Sequence, residues 1–185
     1  MTTNITATQH LQTGPALDAD LLALLASYDD DNLREMVASS SLADAETLIN
    51  LSRSKRVADR LNVARNHTAP VEALVTLSGD DRTAVRQAVA MNANTPTETL
   101  ARLSTDPEFE VRDSVAVNPI TPIEALLCLA QDEDTNVAMT ARDALLLRSK
   151  EDLLGVITTL GGDPKDYEDL PLEWLLEALI ARPTN

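Results

Sequence analysis

The feature that most restricts the fold of this chain is a period of 26 residues. Asn92 to Val117 and Asn118 to Asp143 overlay column by column, and the register extends backward. Leu126 falls on Leu100, Leu74, Leu48 and Leu22; Leu129 falls on Leu103, Leu77, Leu51 and Leu25. Glu124, Glu98, Glu72 and Glu46 share a column that Asp20 continues. Val115, Val89, Val63 and Val37 form another, each followed by an alanine, and Arg112, Arg86, Arg60 and Arg34 a third. A fixed period of this size marks a solenoid, in which each unit buries its apolar face only against its neighbours. The register divides the chain into five units at about 14–39, 40–65, 66–91, 92–117 and 118–143, the first degenerate.

One unit reads as helix, turn, short helix, turn. Thr95-Pro96-Thr97-Glu98 carries the signature of a helix start, with Thr95 as N-cap, Pro96 in the first turn and Glu98 closing a capping box. Leu100 and Leu103 then share a face, as do Val111 and Val115 on the second helix. Asn118 reads as a terminator because asparagine tolerates the left-handed conformation, and Pro119 prevents continuation. The alanine column predicts close backbone approach between units. Asp59, in a column otherwise apolar, suggests a local slip of register in the second unit. Residues 1–13 are expected to be a flexible N-terminus, 14–143 the helical array and 144–185 a C-terminal helical cap.

These columns resemble the leucine-rich repeat variant family. Val111-Arg112-Asp113-Ser114-Val115-Ala116-Val117-Asn118-Pro119-Ile120-Thr121-Pro122 carries the family core without a gap, followed by Leu126, Leu129, Ala130 and Asp132. The resemblance covers 40–143 well and 14–39 weakly. It implies an all-α fold: a right-handed superhelix in which α-helices alternate with 3₁₀-like helices, without β-sheet. It also implies an interaction surface rather than an enzyme, and it transfers no catalytic residue.

Composition narrows the function classes. The net charge is −15 and aromatics are 2% of the residues, so phosphate attraction and base stacking are both weak and direct nucleic-acid binding is disfavoured. A single cysteine, Cys128, excludes an intrachain disulfide and fits a reducing cytoplasm. The N-terminus lacks a basic start and an apolar run, and no apolar stretch approaches the roughly 18 residues of a membrane span. His10 lies in the loose N-terminus and His67 in a turn; Asp132-Glu133-Asp134 lacks the glycine and spaced ligands of a calcium loop. Neither metal nor cofactor is expected. Cys128 reads as a buried or half-exposed passive thiol.

The expected function is a non-enzymatic scaffold for protein–protein interaction, with an acidic inhibitor or decoy that occupies a basic, nucleic-acid-binding protein as the alternative. The arginine column has two readings. It either pairs with carboxylates of neighbouring units, such as Asp80 or Asp106, or offers a row of donors to a partner. Arg34, Arg60, Arg86 and Arg112, with the basic spot of Arg53, Lys55 and Arg56, are the candidate partner-binding residues. Residues 151–177 carry eight acids against Lys165 alone, an acidic end opposite that spot. Trp174 on the last apolar helix is expected either to seal the core or to expose a patch for self-association, making the protein a monomer or a weak homodimer.

Overall fold

The computed structural model describes residues 19–181. The expected flexible segment 1–13 with His10, the start of the first unit at 14–18 and the end of the expected cap at 182–185 lie outside them.

Each unit supplies two α-helices. The first helices are α1 (Ala19–Ala26), α3 (Ala45–Ser52), α5 (Val71–Leu77), α7 (Thr97–Leu103) and α9 (Ile123–Leu129). The second are α2 (Asp31–Ser39), α4 (Val57–Arg65), α6 (Thr83–Met91), α8 (Phe109–Val117) and α10 (Thr135–Leu146). Two more follow, α11 (Lys150–Thr159) and α12 (Leu172–Ile180). Among the described residues there is no strand. The fold is the expected all-α repeat array.

The second helices differ from the sequence expectation. They are α-helices of nine residues, twelve in α10, longer than the seven of α7, instead of short 3₁₀-like pieces. Only their first turn is tight: Val85 N–H reaches Arg82 O at 3.0 Å, while Arg86 N–H reaches the same carbonyl at 3.3 Å. The valines explain the choice. Val85 and Val89 lie four apart, a spacing that aligns on an α-helix but not on a threefold 3₁₀ helix. Among the described residues the one 3₁₀ segment is Pro164–Asp166.

The helix starts differ too. Pro96, with φ −58° and ψ 148°, is itself the N-cap of α7, and its carbonyl accepts from Thr99 and Leu100 N–H. Pro70 and Pro122 are likewise the N-caps of α5 and α9, and their carbonyls accept from Leu74 and Leu126 N–H. Proline suits this place because its extended backbone is already fixed and it has no N–H to satisfy. Thr95 is fully buried; its hydroxyl donates to Val89 O at 2.6 Å and ties the turn to the preceding second helix. Thr121 repeats the bond to Val115 O at 2.6 Å. In the second unit Asp44 replaces the proline and caps α3 through Thr47 N–H at 2.7 Å.

The leucine, valine and alanine columns form one continuous core. Second helices stack directly on one another, α2 on α4 on α6 on α8 on α10, more closely than the first helices do. Ala38, Ala64, Ala90 and Ala116, all fully buried, permit that approach. This more closely stacked row of second helices is the inner row of the array. Asp59 causes no slip: α4 keeps Val63 and Ala64 in their columns, both fully buried.

At the C-terminal end α10 runs through Leu146, past the point where the repeat ends in sequence. Helix α11 stops at Gly161, whose φ of 77° allows Gly162 N–H to bond Ile157 O at 2.9 Å. Helix α12 packs on α9, α10 and α11 and buries Leu175, Leu176, Leu179 and Ile180. These four residues close the core. Trp174 does not; it is 68% exposed.

Candidate functional site: the cross-repeat ladders and the face they support

Arginine is the fourth residue of each nine-residue second helix, and an aspartate follows the next first helix 20 residues later. Arg86 Nε and Nη2 grip Asp106 at 2.7 and 2.9 Å, while its Nη1 donates to Asp80 O at 2.8 Å. Arg60 holds Asp80 at 2.5 and 3.0 Å and Ser54 O at 3.0 Å. Arg112 holds Asp132 at 2.6 and 2.8 Å and Asp106 O at 2.8 Å. Each guanidinium thus joins the turn before its own helix to the turn of the next unit. The aspartates serve twice, since Asp106 Oδ1 also accepts Glu108 N–H at 3.0 Å. The result is a chain of charge-assisted hydrogen bonds that runs from Ser54 to Asp132. Both side chains of the central pair are nearly enclosed, at 12% and 5% exposure.

Arg34 is the exception: its guanidinium bonds Asp29 and Asp31 of its own unit, at 3.0 and 3.4 Å. The residue 20 positions on is Ser54, not aspartate. Asp59, in the valine column, is buried, accepts from Ser54 Oγ at 2.6 Å and lies 3.6 Å from Arg34 Nε. Arg34 keeps the bond to the earlier turn, at Tyr28 O, 2.9 Å. The basic spot is different in kind. Arg53 is exposed and meets Glu72 at 2.8 Å, Lys55 is exposed, and Arg56 faces Asp31.

A second ladder is built on the recurring asparagine. Asn66, Asn92 and Asn118 are buried and extended, not left-handed; Asn92 has φ −77° and ψ 127°. Asn92 Nδ2 donates to Ala64 O at 2.8 Å and Asn66 O at 2.9 Å, the free carbonyls at the end of the preceding second helix. Its Oδ1 accepts Asn94 N–H at 2.9 Å. Asn66 reaches Ala38 O and Ser40 O, and Asn118 reaches Ala90 O and Asn92 O. Helix ends that would be unsatisfied in the core are therefore capped by the next unit. The asparagine column is visible in the sequence; its partners depend on stacking.

A family model described as leucine rich repeat variant matches residues 83–108, from the start of α6 through α7 to the turn before α8. Over these residues the chain is similar to the leucine rich repeat variant family. Comparison with curated proteins gives no match. The matched leucine rich repeat variant segment contains Arg86, Asn92 and Asp106, so both ladders pass through it.

Electrostatics make the arginine ladder sensitive to acid. Burial pushes the Asp106 carboxyl upward, but the Arg86 hydrogen bonds, the Glu108 N–H and the charges of Arg86 and Arg112 outweigh it and hold it below the usual carboxylate range. Burial is likewise outweighed at Asp80, chiefly by Arg60. At Asp132 the Arg112 hydrogen bonds dominate, against a smaller opposing effect of burial. Carboxyls lowered by folding stabilise the fold fully above their unfolded pKa of about 3.9 and lose that contribution as pH falls through the lower native values. The denaturation midpoint is expected to be flat from neutral pH to about pH 5 and to drop below about pH 4. A variant with Asp80, Asp106 and Asp132 all changed to asparagine should start less stable and fall less steeply; an identical acid profile would refute the assignment.

The face in front of the ladders is varied where the ladders are uniform. The last residues of successive second helices are Ser39, Arg65, Met91 and Val117, all exposed. Met91 is 66% and Val117 62% exposed. Between α4 and α6 lies a groove of about 400 Å³ lined by Arg65, Ala84, Gln87, Ala88 and Met91. Of the residues that vary between units, Arg102, Glu108 and Phe109 are exposed, whereas Thr99 is buried. Cys128 is exposed on α9, not buried. His67 is exposed in its turn, and Asp132 is engaged by Arg112. Among the described residues no group of three or more His, Cys, Asp or Glu is placed to hold a metal ion. No helix among them is long and apolar enough to cross a membrane.

Proposed function

We propose that the chain is a non-enzymatic, cytoplasmic protein-binding scaffold that offers the inner row of second helices to an extended segment of a partner protein. One observation carries this reading. The buried Arg–Asp and asparagine ladders are copied from unit to unit, while the exposed residues they support, such as Arg65, Met91 and Val117, are not. Copied rigidity behind a varied surface is what a repeat protein uses to recognise one segment among many. In this reading Arg34, Arg60, Arg86 and Arg112 act from behind, by fixing the spacing of the helices. Arg53, Lys55 and Arg56 form a basic edge at the N-terminal part of the array that favours an acidic stretch of the partner.

Site-specific photocrosslinking tests it. A benzophenone side chain placed at exposed Met91 on the inner face is expected to trap a protein partner in cells, and one at exposed Val75 on first helix α5 is not. Adducts from Val75 alone, or from neither position, would sink the proposal.

A further inference from the structure

The C-terminal end carries an apolar groove that the repeat array does not use. It lies between α10 and α12 and measures about 530 Å³. Leu146, Trp174, Leu176 and Ile180 give it an apolar lining, and Arg142, Glu173 and Glu177 its charged rim. The indole of Trp174, at 68% exposure, stands at this groove, and Leu147 beside Leu146 is 87% exposed. An exposed tryptophan next to aliphatic side chains is costly to leave in water and is the residue type most enriched in binding hot spots.

Charge selects the occupant. Arg142 is answered by Glu177 at 3.2 Å, so Glu173 leaves the rim net negative. The segment 151–177 that contains α11 and much of α12 holds eight acids against Lys165 alone. The nearby Lys150 is spent on the backbone oxygens of Glu168 and Leu170. A second copy docking here about a twofold axis would bring two such acidic ends together, which opposes a homodimer through this face. A helix with apolar residues at i, i+3 or i+4 and i+7, and lysine or arginine beside them, satisfies both lining and rim.

We propose that the α10–α12 groove docks a basic amphipathic helix of a partner protein. The proposal rests on the reading of the chain as a binding scaffold but uses a face separate from the inner row. Apolar side chains of the partner pack on Trp174, Leu146 and Ile180, and its cations meet Glu173 and the acidic end, where one can also lie over the indole.

The test uses three labelled synthetic peptides: an amphipathic Leu/Lys helix, a scramble of the same composition with no apolar face, and the matching Leu/Glu helix. Trp174 is the only tryptophan, so its emission reports the groove directly. The Leu/Lys helix is expected to shift that emission to the blue and to bind on the order of tenfold more tightly than either control. Fluorescence anisotropy should show a loss on the order of tenfold with Trp174→Ala or with Glu173→Lys. Both residues are exposed, so unchanged circular dichroism will show that the fold is intact. Equal binding of the scramble, or binding undiminished by Trp174→Ala, overturns the proposal. So does a blue shift of the protein alone that grows with concentration and accompanies a dimer in sedimentation, which assigns the groove to a second copy. Crosslinking at Met91 is read separately, so a failed groove leaves the inner-face result standing, and the reverse also holds.

Discussion

Asp106→Ala is expected to destabilise the array by about 3–5 kcal/mol, because it leaves the enclosed guanidinium of Arg86 without its counter-ion. The loss has three parts. The bidentate contact at 2.7 and 2.9 Å disappears, Glu108 N–H loses its acceptor, and a nearly enclosed positive charge is stranded. Arg86→Ala removes the charge as well as the contact, but it strands the carboxylate and frees Asp80 O. Arg86→Lys should fall between, since an ammonium cannot span both aspartate oxygens and the earlier turn at once. Changing both partners to apolar residues should recover part of the loss, because no unpaired charge remains. Urea denaturation of the two single variants and the double variant forms the cycle. Additive losses would show that the pair does not interact and would refute the ladder. Arg53→Ala is the contrast: its pair with Glu72 is exposed on both sides, and such pairs contribute about 0–1 kcal/mol.

Leu100→Ala should cost about 2–5 kcal/mol through lost burial and the cavity left behind. Leu100 is fully buried on α7, in the fourth of five stacked units, and belongs to the common core. In a stacked array the cavity weakens the unit's own packing and its contact with the neighbours, so unfolding cannot be absorbed at a frayed end. Leu42→Ala, at a site 55% exposed, should change stability by less than about 0.5 kcal/mol. The denaturation midpoints of the two variants decide the matter, and similar values would show that the leucine column is misplaced.

Much of this architecture is legible in the order of the residues. Leu74, Leu100 and Leu126 recur at one register, and a recurring apolar residue in a solenoid has to face its neighbours. The alanine column announces close helix approach in the same way. The features that read differently in sequence and in space all depend on what lies opposite them. Thr95 has the sequence of an N-cap, yet its hydroxyl is taken by Val89 O because Pro96 already starts the helix. Asn92 has the sequence of a left-handed stop, yet the free carbonyls of the preceding unit hold it extended. Asp59 reads as a slip in an apolar column, yet its buried carboxylate takes the Ser54 hydroxyl and lies 3.6 Å from Arg34, whose side chain bonds Asp29, Asp31 and Tyr28 O. Trp174 reads in sequence either as a plug or as an exposed patch; Leu175, Leu176, Leu179 and Ile180 already fill the end of the core, and the indole is left exposed.

The sequence by itself determined the period, the all-helical class and the residues of the core, because backbone propensity and apolar spacing act within a few residues along the chain. Only the tertiary structure decided what the repeated polar residues do. Arg86 and Asp106 are 20 residues apart, and Asn92 and Ala64 28, so their pairing exists only once units are stacked. The same stacking decides which unrepeated residues, Met91 and Val117 among them, are left facing outward.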